Sequence, residues 1–203
     1  MERIIIHACI SGFRQSAGSW NGTLTVRELL VRNGHSLGVE SRVDYYTWNS
    51  RWRDVAEYYS AISSRYNIRP TIVVHAYSWG AGYGAMSLAK CLRRRGLRVK
   101  AMVLCDPVYK DPNMLFVWRS LSRWNLPFLS APKILVPSNV DYVCGVRQCM
   151  ARPMGHELVA CRNADTKIDQ FLELPADHTH IHDQPEWHQM CLDVARQAFE
   201  GVL

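Results

Sequence analysis

Apolar positions in this chain fall into short unbroken runs, and between those runs the spacing becomes helical. IIIHACI (4–10), PTIVVHAY (70–77) and VKAMVLCD (99–106) are continuous rather than alternating. That pattern belongs to strands buried on both faces. Weaker runs predict strands at 39–45, at 133–136 in KILVPSNVD, near 157–161 and in KIDQFLELP. The first helix is expected from a Thr23 cap to about Arg32, with Arg27, Leu29, Leu30 and Val31 on its buried face and Asn33-Gly34 as its stop. In the second, Trp52, Val55, Ala56, Tyr59 and Ile62 recur at three and four behind an Asn49 or Ser50 cap. Residues 80–95 are rich in Ala, Met and Leu and predict a third helix, and a last one starts near Pro185. The stretch from Cys144 to Asp165 reads mostly as loop. Between 108 and 132, Phe116, Trp118, Trp124, Leu126 and Phe128 stand among prolines that limit regular structure, which suits a short cap.

Strands alternating with helices predict an α/β fold whose mostly parallel sheet is covered on both faces. At 203 residues the chain is expected to form one domain, 1–203, around one core. Ligands of such sheets bind where the strands end at their carboxyl side. The residues predicted there are His7 to Ser11, Ser78, Asp106, Asp141 and His178.

Composition narrows the partners. Lys and Arg number 24 against 18 Asp and Glu, a formal charge of +6, yet the densest basic stretch, Arg93 to Arg95 with Arg98 and Lys100, fits a solvated helix end. No second basic patch with interleaved aromatics accompanies it, so nucleic acid is not an expected partner. Seven cysteines, an odd number scattered through the chain, point to a reduced compartment and a cytoplasmic location. The N-terminal apolar run is shorter than a signal peptide requires, and no stretch approaches a membrane span. Cys144, Cys149 and Cys161 lack the paired short spacing of zinc ligands. DHTHIHD (177–183) alternates imidazoles in a way that fits a metal site, but no matching carboxylate-histidine set accompanies it, and no metal or other cofactor is expected.

The chemistry-bearing stretch is VVHAYSWGAGYGAM (73–86), one serine among small residues at a strand-to-helix junction. A sharp turn that lifts a serine off a strand crowds the positions two before and two after it, and Ala76 and Gly80 are both small. The same serine also fits an ordinary helix cap. With the strand before it, the helix after it, and an aspartate and histidine downstream, the chain resembles the α/β-hydrolase superfamily over nearly its full length, as a compact serine esterase or lipase-like member. The motif here is A-x-S-x-G where the family usually has G-x-S-x-G.

That resemblance implies a three-layer α/β-hydrolase-like sandwich and a Ser-His-Asp triad. Ser78 is then the nucleophile. The family's order of serine, acid and histidine leaves His156, His178, His180, His182 and His188 for the base; H-x-x-I followed by D-x-P matches at His178, with Ile181 as the apolar anchor and His180 in reserve. Asp106, after the strand beside the nucleophile strand, is the preferred acid because a carboxylate at a buried strand end needs a partner; Asp141 is the alternative. The implied oxyanion donors are the backbone N–H groups of Trp79 and of Cys9 or Ile10; His7-Ala8 stands where the family usually has His-Gly, which leaves the register of the second donor open. Trp20, Trp118 and Trp124 are candidates for substrate contact, together with Trp48 and Trp79. The expected substrate is a small-molecule or lipid-like acyl ester or thioester, cleaved without a cofactor. The rival expectation is a noncatalytic binding or structural protein on the same fold.

Overall fold

A computed structural model describes residues 4–16, 18–36, 40–110, 132–150 and 154–203, with the side chains of residues 35 and 36 left out. The chain runs β1 (Ile5–Ile10), α1 (Gly22–Ser36), β2 (Ser41–Tyr46), α2 (Trp52–Tyr66), β3 (Thr71–Tyr77), a π-helical turn (Gly80–Gly84), α3 (Ala85–Arg93) and β4 (Val99–Cys105). Short strand β5 (Ile134–Val136), the long β6 (Val140–Gln148), β7 (Leu158–Ala160), β8 (Lys167–Ile168) and β9 (Leu172–Leu174) follow. A 3₁₀ turn (Ile181–Asp183) leads into α4 (Pro185–Glu200).

The main sheet is ordered β2-β1-β3-β4-β6, with β8 and β9 both added along β6, and its described pairings are all parallel. Successive side chains of a strand face opposite sides, so each run of apolar residues feeds two cores at once. Ile6, Ala8, Ile10, Ile72, Val74 and Leu104 pack with Trp52, Tyr59, Leu88 and Leu92 from α2 and α3. On the other face Ile5, Cys9, Val73 and Val103 meet Val26 and Leu30 of α1 and Trp187 and Cys191 of α4. This is the three-layer α/β sandwich with a mostly parallel central sheet that the sequence predicts.

Several local expectations need correction. Asn21, not Thr23, caps α1, its side-chain oxygen accepting the Leu24 N–H at 3.2 Å. That helix passes through Asn33-Gly34 and buries Thr23, Val26 and Leu30 rather than Arg27, Leu29 and Val31. Arg51 holds the N-cap position of α2 with no side-chain bond, so neither Asn49 nor Ser50 is its cap. Among the described residues the strand at 133–136 pairs with β7 in a separate two-stranded sheet and not with the main one. The strand that extends the main sheet beyond β4 is β6, whose second half falls in the stretch expected mostly as loop, because Asp141, Gly145 and Arg147 break its apolar pattern. Gly145 is required there: a Cβ would stand 1.9 Å from the Leu104 carbonyl oxygen of the neighbouring strand. The cap expected over 108–132, with Trp118 and Trp124, falls almost wholly outside the described residues. All seven cysteines are free thiols. Among the described residues no helix is long and apolar enough to cross a membrane.

Candidate active site

Parallel strands β1, β3, β4 and β6 all end on one side of the sheet, and the loops that leave them there meet around Ser78. The serine follows β3 directly and takes φ 55°, a left-handed conformation that L-residues adopt only when their surroundings hold it. Three main-chain bonds do so: the Ser78 N–H donates to the Cys105 carbonyl at 3.0 Å, and its own carbonyl accepts from Gly82 at 2.8 Å and Val108 at 3.1 Å. The turn needs its small residues. A Cβ on Gly80 would stand 2.4 Å from the Ser11 carbonyl oxygen, and one on Gly82 would stand 1.9 Å from that of Val108. The buried Ala76 fills the position two before the serine.

Ser78 Oγ lies 2.8 Å from His178 Nε2, and His178 Nδ1 lies 2.6 Å from Asp106 Oδ2. One tautomer satisfies both contacts, with Nδ1–H donating to the carboxylate and Nε2 accepting from the hydroxyl. All three side chains are buried, Asp106 completely. Asp106 follows β4 at φ 42°, and its Oδ1 accepts the Gly155 N–H at 2.8 Å and, more weakly, that of Gln148 at 3.4 Å. Gln148 Nε2 reaches Oδ2 at 3.3 Å. The carboxylate is thus anchored on the side away from the imidazole. Tyr77 fixes the histidine's backbone, its hydroxyl donating to the His178 carbonyl at 2.5 Å. Ile181 is fully buried beneath this segment.

The other candidates lie elsewhere. Asp141 stands near the start of β6, at the end opposite to Gln148, where it pairs with Arg98 at 2.9 Å and with Lys100. His180 bonds to Asp177 on the exposed turn. His156 is buried and accepts the Tyr109 N–H at 3.0 Å, and His188 contacts the His182 carbonyl. Trp20 is 74% exposed and joins no ring contact among the described residues. An aromatic cluster does form beside the serine: Trp79 lies 4.5 Å from Phe13 and 5.1 Å from Trp48 between ring centroids. Tyr83 packs on Trp48, and Lys110 Nζ sits over the rings of both.

Cys9 and Ile10 lie within β1, paired on one side with β2 and on the other with β3. Amides of a strand paired on both edges are consumed by the ladder. Beyond the strand, the Ser11 N–H still donates to Tyr46 at 2.9 Å and that of Gly12 to Gln15 Oε1 at 3.0 Å. Phe13 is the first residue of this loop whose N–H has no acceptor among the described residues. The loop touches the serine, since a Cβ on Gly12 would stand 3.0 Å from Ser78 Cβ. In the sequence it is Ser11-Gly12, not His7-Ala8, that directly follows the strand. Trp79 opens the helical turn, where first-turn amides have no acceptor within the helix.

No family model and no curated protein sequence matches this chain. Among solved structures it is similar to RedJ with a PEG molecule bound in the active site, at 12% identity and a TM-score of 0.49, covering 95% of this chain and 89% of that one. It is similar also to the RedJ thioesterase of the prodiginine biosynthetic pathway in Streptomyces coelicolor, at 13% identity and a TM-score of 0.48, covering 95% of this chain and 85% of that one.

Proposed function

We propose that this protein is a serine hydrolase that cleaves a carboxylic ester or thioester through an acyl-enzyme on Ser78. The observation that carries the reading is the unbroken hydrogen-bond string from Ser78 Oγ through His178 to Asp106 Oδ2, with its serine held at positive φ on a strand end. A left-handed serine costs about 1–3 kcal/mol, and such strain persists where the surroundings over-determine it, as it does at many active sites.

In the proposed reaction His178 Nε2 takes the hydroxyl proton as Oγ forms a bond to the acyl carbon, and the carbonyl electron pair moves onto oxygen. Asp106 holds the imidazole in the accepting tautomer and stabilises the imidazolium. The collapse of the tetrahedral intermediate breaks the bond to the alcohol or thiol, which leaves with the proton from Nε2. Water then attacks the acyl-serine with His178 again as base, releasing the acid and restoring Ser78. The oxyanion is stabilised by the N–H groups of Trp79 and Phe13, aimed at charge that develops only in the transition state. Phe13, Trp48, Trp79 and Tyr83 supply an apolar wall for the acyl group, which favours an uncharged chain or ring next to the scissile carbonyl. Besides the substrate and water, these steps use groups of this chain. Its seven free thiols fit a reducing, cytoplasmic setting.

Initial rates on p-nitrophenyl acetate, butyrate and octanoate, and on a butyryl thioester followed by thiol release, test the reading. Saturable turnover is expected, with kcat/KM rising from acetate to butyrate as the acyl chain gains contact with the aromatic wall. Folded protein that turns over none of these substrates points instead to a noncatalytic binding role.

A further inference from the structure

His182 lies four residues beyond His178 and belongs to a second hydrogen-bond string. It is 7% exposed, packs edge-on against the Tyr77 ring with centroids 4.5 Å apart, and is absent from the reaction scheme. Its Nε2 lies 2.9 Å from Gln15 Nε2, and Gln15 Oε1 accepts the Gly12 N–H at 3.0 Å. The amide orientation follows from that second bond: the Gln15 oxygen faces a donor, so its NH₂ faces the imidazole and His182 Nε2 must accept. The remaining ring proton then sits on Nδ1, 2.9 Å from Asp183 Oδ1. The Gly22 N–H also points at Nδ1, at 3.1 Å, but in this tautomer both groups are donors and that N–H gains no hydrogen bond from the ring. Burial holds the His182 pKa below its ordinary value, which keeps the accepting neutral ring at neutral pH.

The string ends on a strained turn. The Gln15 N–H donates to the Gly12 carbonyl at 3.3 Å, closing a four-residue turn with Phe13 and Arg14 at its corners, and Arg14 takes φ 63°. In such a turn the N–H of the first corner residue is left out of the closing bond. That residue is Phe13.

We propose that Gln15 and His182 are positioning residues: the string Asp183–His182–Gln15 clamps Gly12 and holds the strained turn so that the Phe13 N–H faces the acyl oxygen at Ser78. The proposal rests on Ser78 being the nucleophile. Neither side chain meets the substrate. Both act through the backbone of the 12–15 turn, so their loss should weaken transition-state stabilisation more than substrate binding.

The test compares Gln15→Met, His182→Phe and His182→Gln with wild type on p-nitrophenyl butyrate. Gln15→Met keeps the side-chain length and removes both bonds; His182→Phe keeps the packing on Tyr77 and removes the acceptor; His182→Gln restores an acceptor near the Nε2 position. Loss of one oxyanion donor costs about 10²- to 10³-fold in kcat, so a misplaced one should cost at least ~10-fold. The expected result is that kcat falls by this amount in Gln15→Met and His182→Phe with KM within about twofold of wild type, and that His182→Gln recovers most of the loss. Unchanged kcat in Gln15→Met, or His182→Gln no better than His182→Phe, overturns the proposal. Should His182→Phe fail to fold, the half-buried Gln15 decides. Fluorophosphonate labelling of wild-type Ser78 separates the two levels: no labelling rejects the hydrolase reading itself, while normal labelling with indifferent variants rejects only the clamp.

Discussion

Ser78→Ala is expected to lower kcat on p-nitrophenyl butyrate by about four to six orders of magnitude, since removing the nucleophile of a triad costs nearly as much as removing all of it. The fold should survive, because the three main-chain bonds that shape the turn do not involve the hydroxyl. The backbone strain gives the same site a second readout. Alanine keeps a Cβ at φ 55°, whereas glycine adopts that conformation freely. Ser78→Gly should therefore be equally inactive but more stable than Ser78→Ala by about 1 kcal/mol. Thermal melts of the two variants, read beside their residual rates, check both halves. A Ser78→Ala protein that keeps a tenth of its activity would mean that another group attacks the substrate.

The second large effect belongs to Asp106→Asn, expected to lower kcat by about 10⁴-fold with little change in KM. The asparagine oxygen will be held by the Gly155 and Gln148 N–H groups that now bond Oδ1. Its NH₂ is then forced toward His178 Nδ1, 2.6 Å away in the native protein, where a donor already points. The imidazole relieves the clash by moving its proton to Nε2, and in that tautomer it cannot accept from Ser78. Asp141→Asn gives the contrast. That residue loses only ion pairs to Arg98 and Lys100 at the far end of β6, and surface pairs of this kind contribute about 0–1 kcal/mol. Its kinetics should match wild type, and parallel steady-state assays of the two variants distinguish the candidate acids.

How far this site could be read beforehand depended on whether its residues sat on locally patterned sequence. The three central strands were visible because each is an unbroken apolar run buried on both faces, and Ser78 and Asp106 are the residues at which two of those runs stop. His178 was reachable because it sits just before the buried Ile181 and the Pro185 helix start. β6 was not, since Gly145 and Arg147 are there for contacts made across the fold. Gly145 lets the backbone of Leu104 approach, and Arg147 holds the His156 carbonyl at 2.9 Å. Asp141 follows the run at 133–136, as its sequence suggests, but it lies near the start of the next strand, β6, and so at the end of the sheet away from Ser78. The loop after β1 shows the same limit. His7-Ala8 lies inside the strand, and the contact between Gln15, which holds Gly12, and His182 joins residues 167 apart, a separation that no local pattern encodes.

The most direct test of the central claim is covalent. Folded protein is treated with a fluorophosphonate, the adduct is weighed intact, and the modified peptide is mapped by tandem mass spectrometry. One equivalent on Ser78, lost in Ser78→Ala and slowed in Asp106→Asn, is the predicted result. An adduct on a different residue, or none on protein whose melting shows it to be folded, would contradict it.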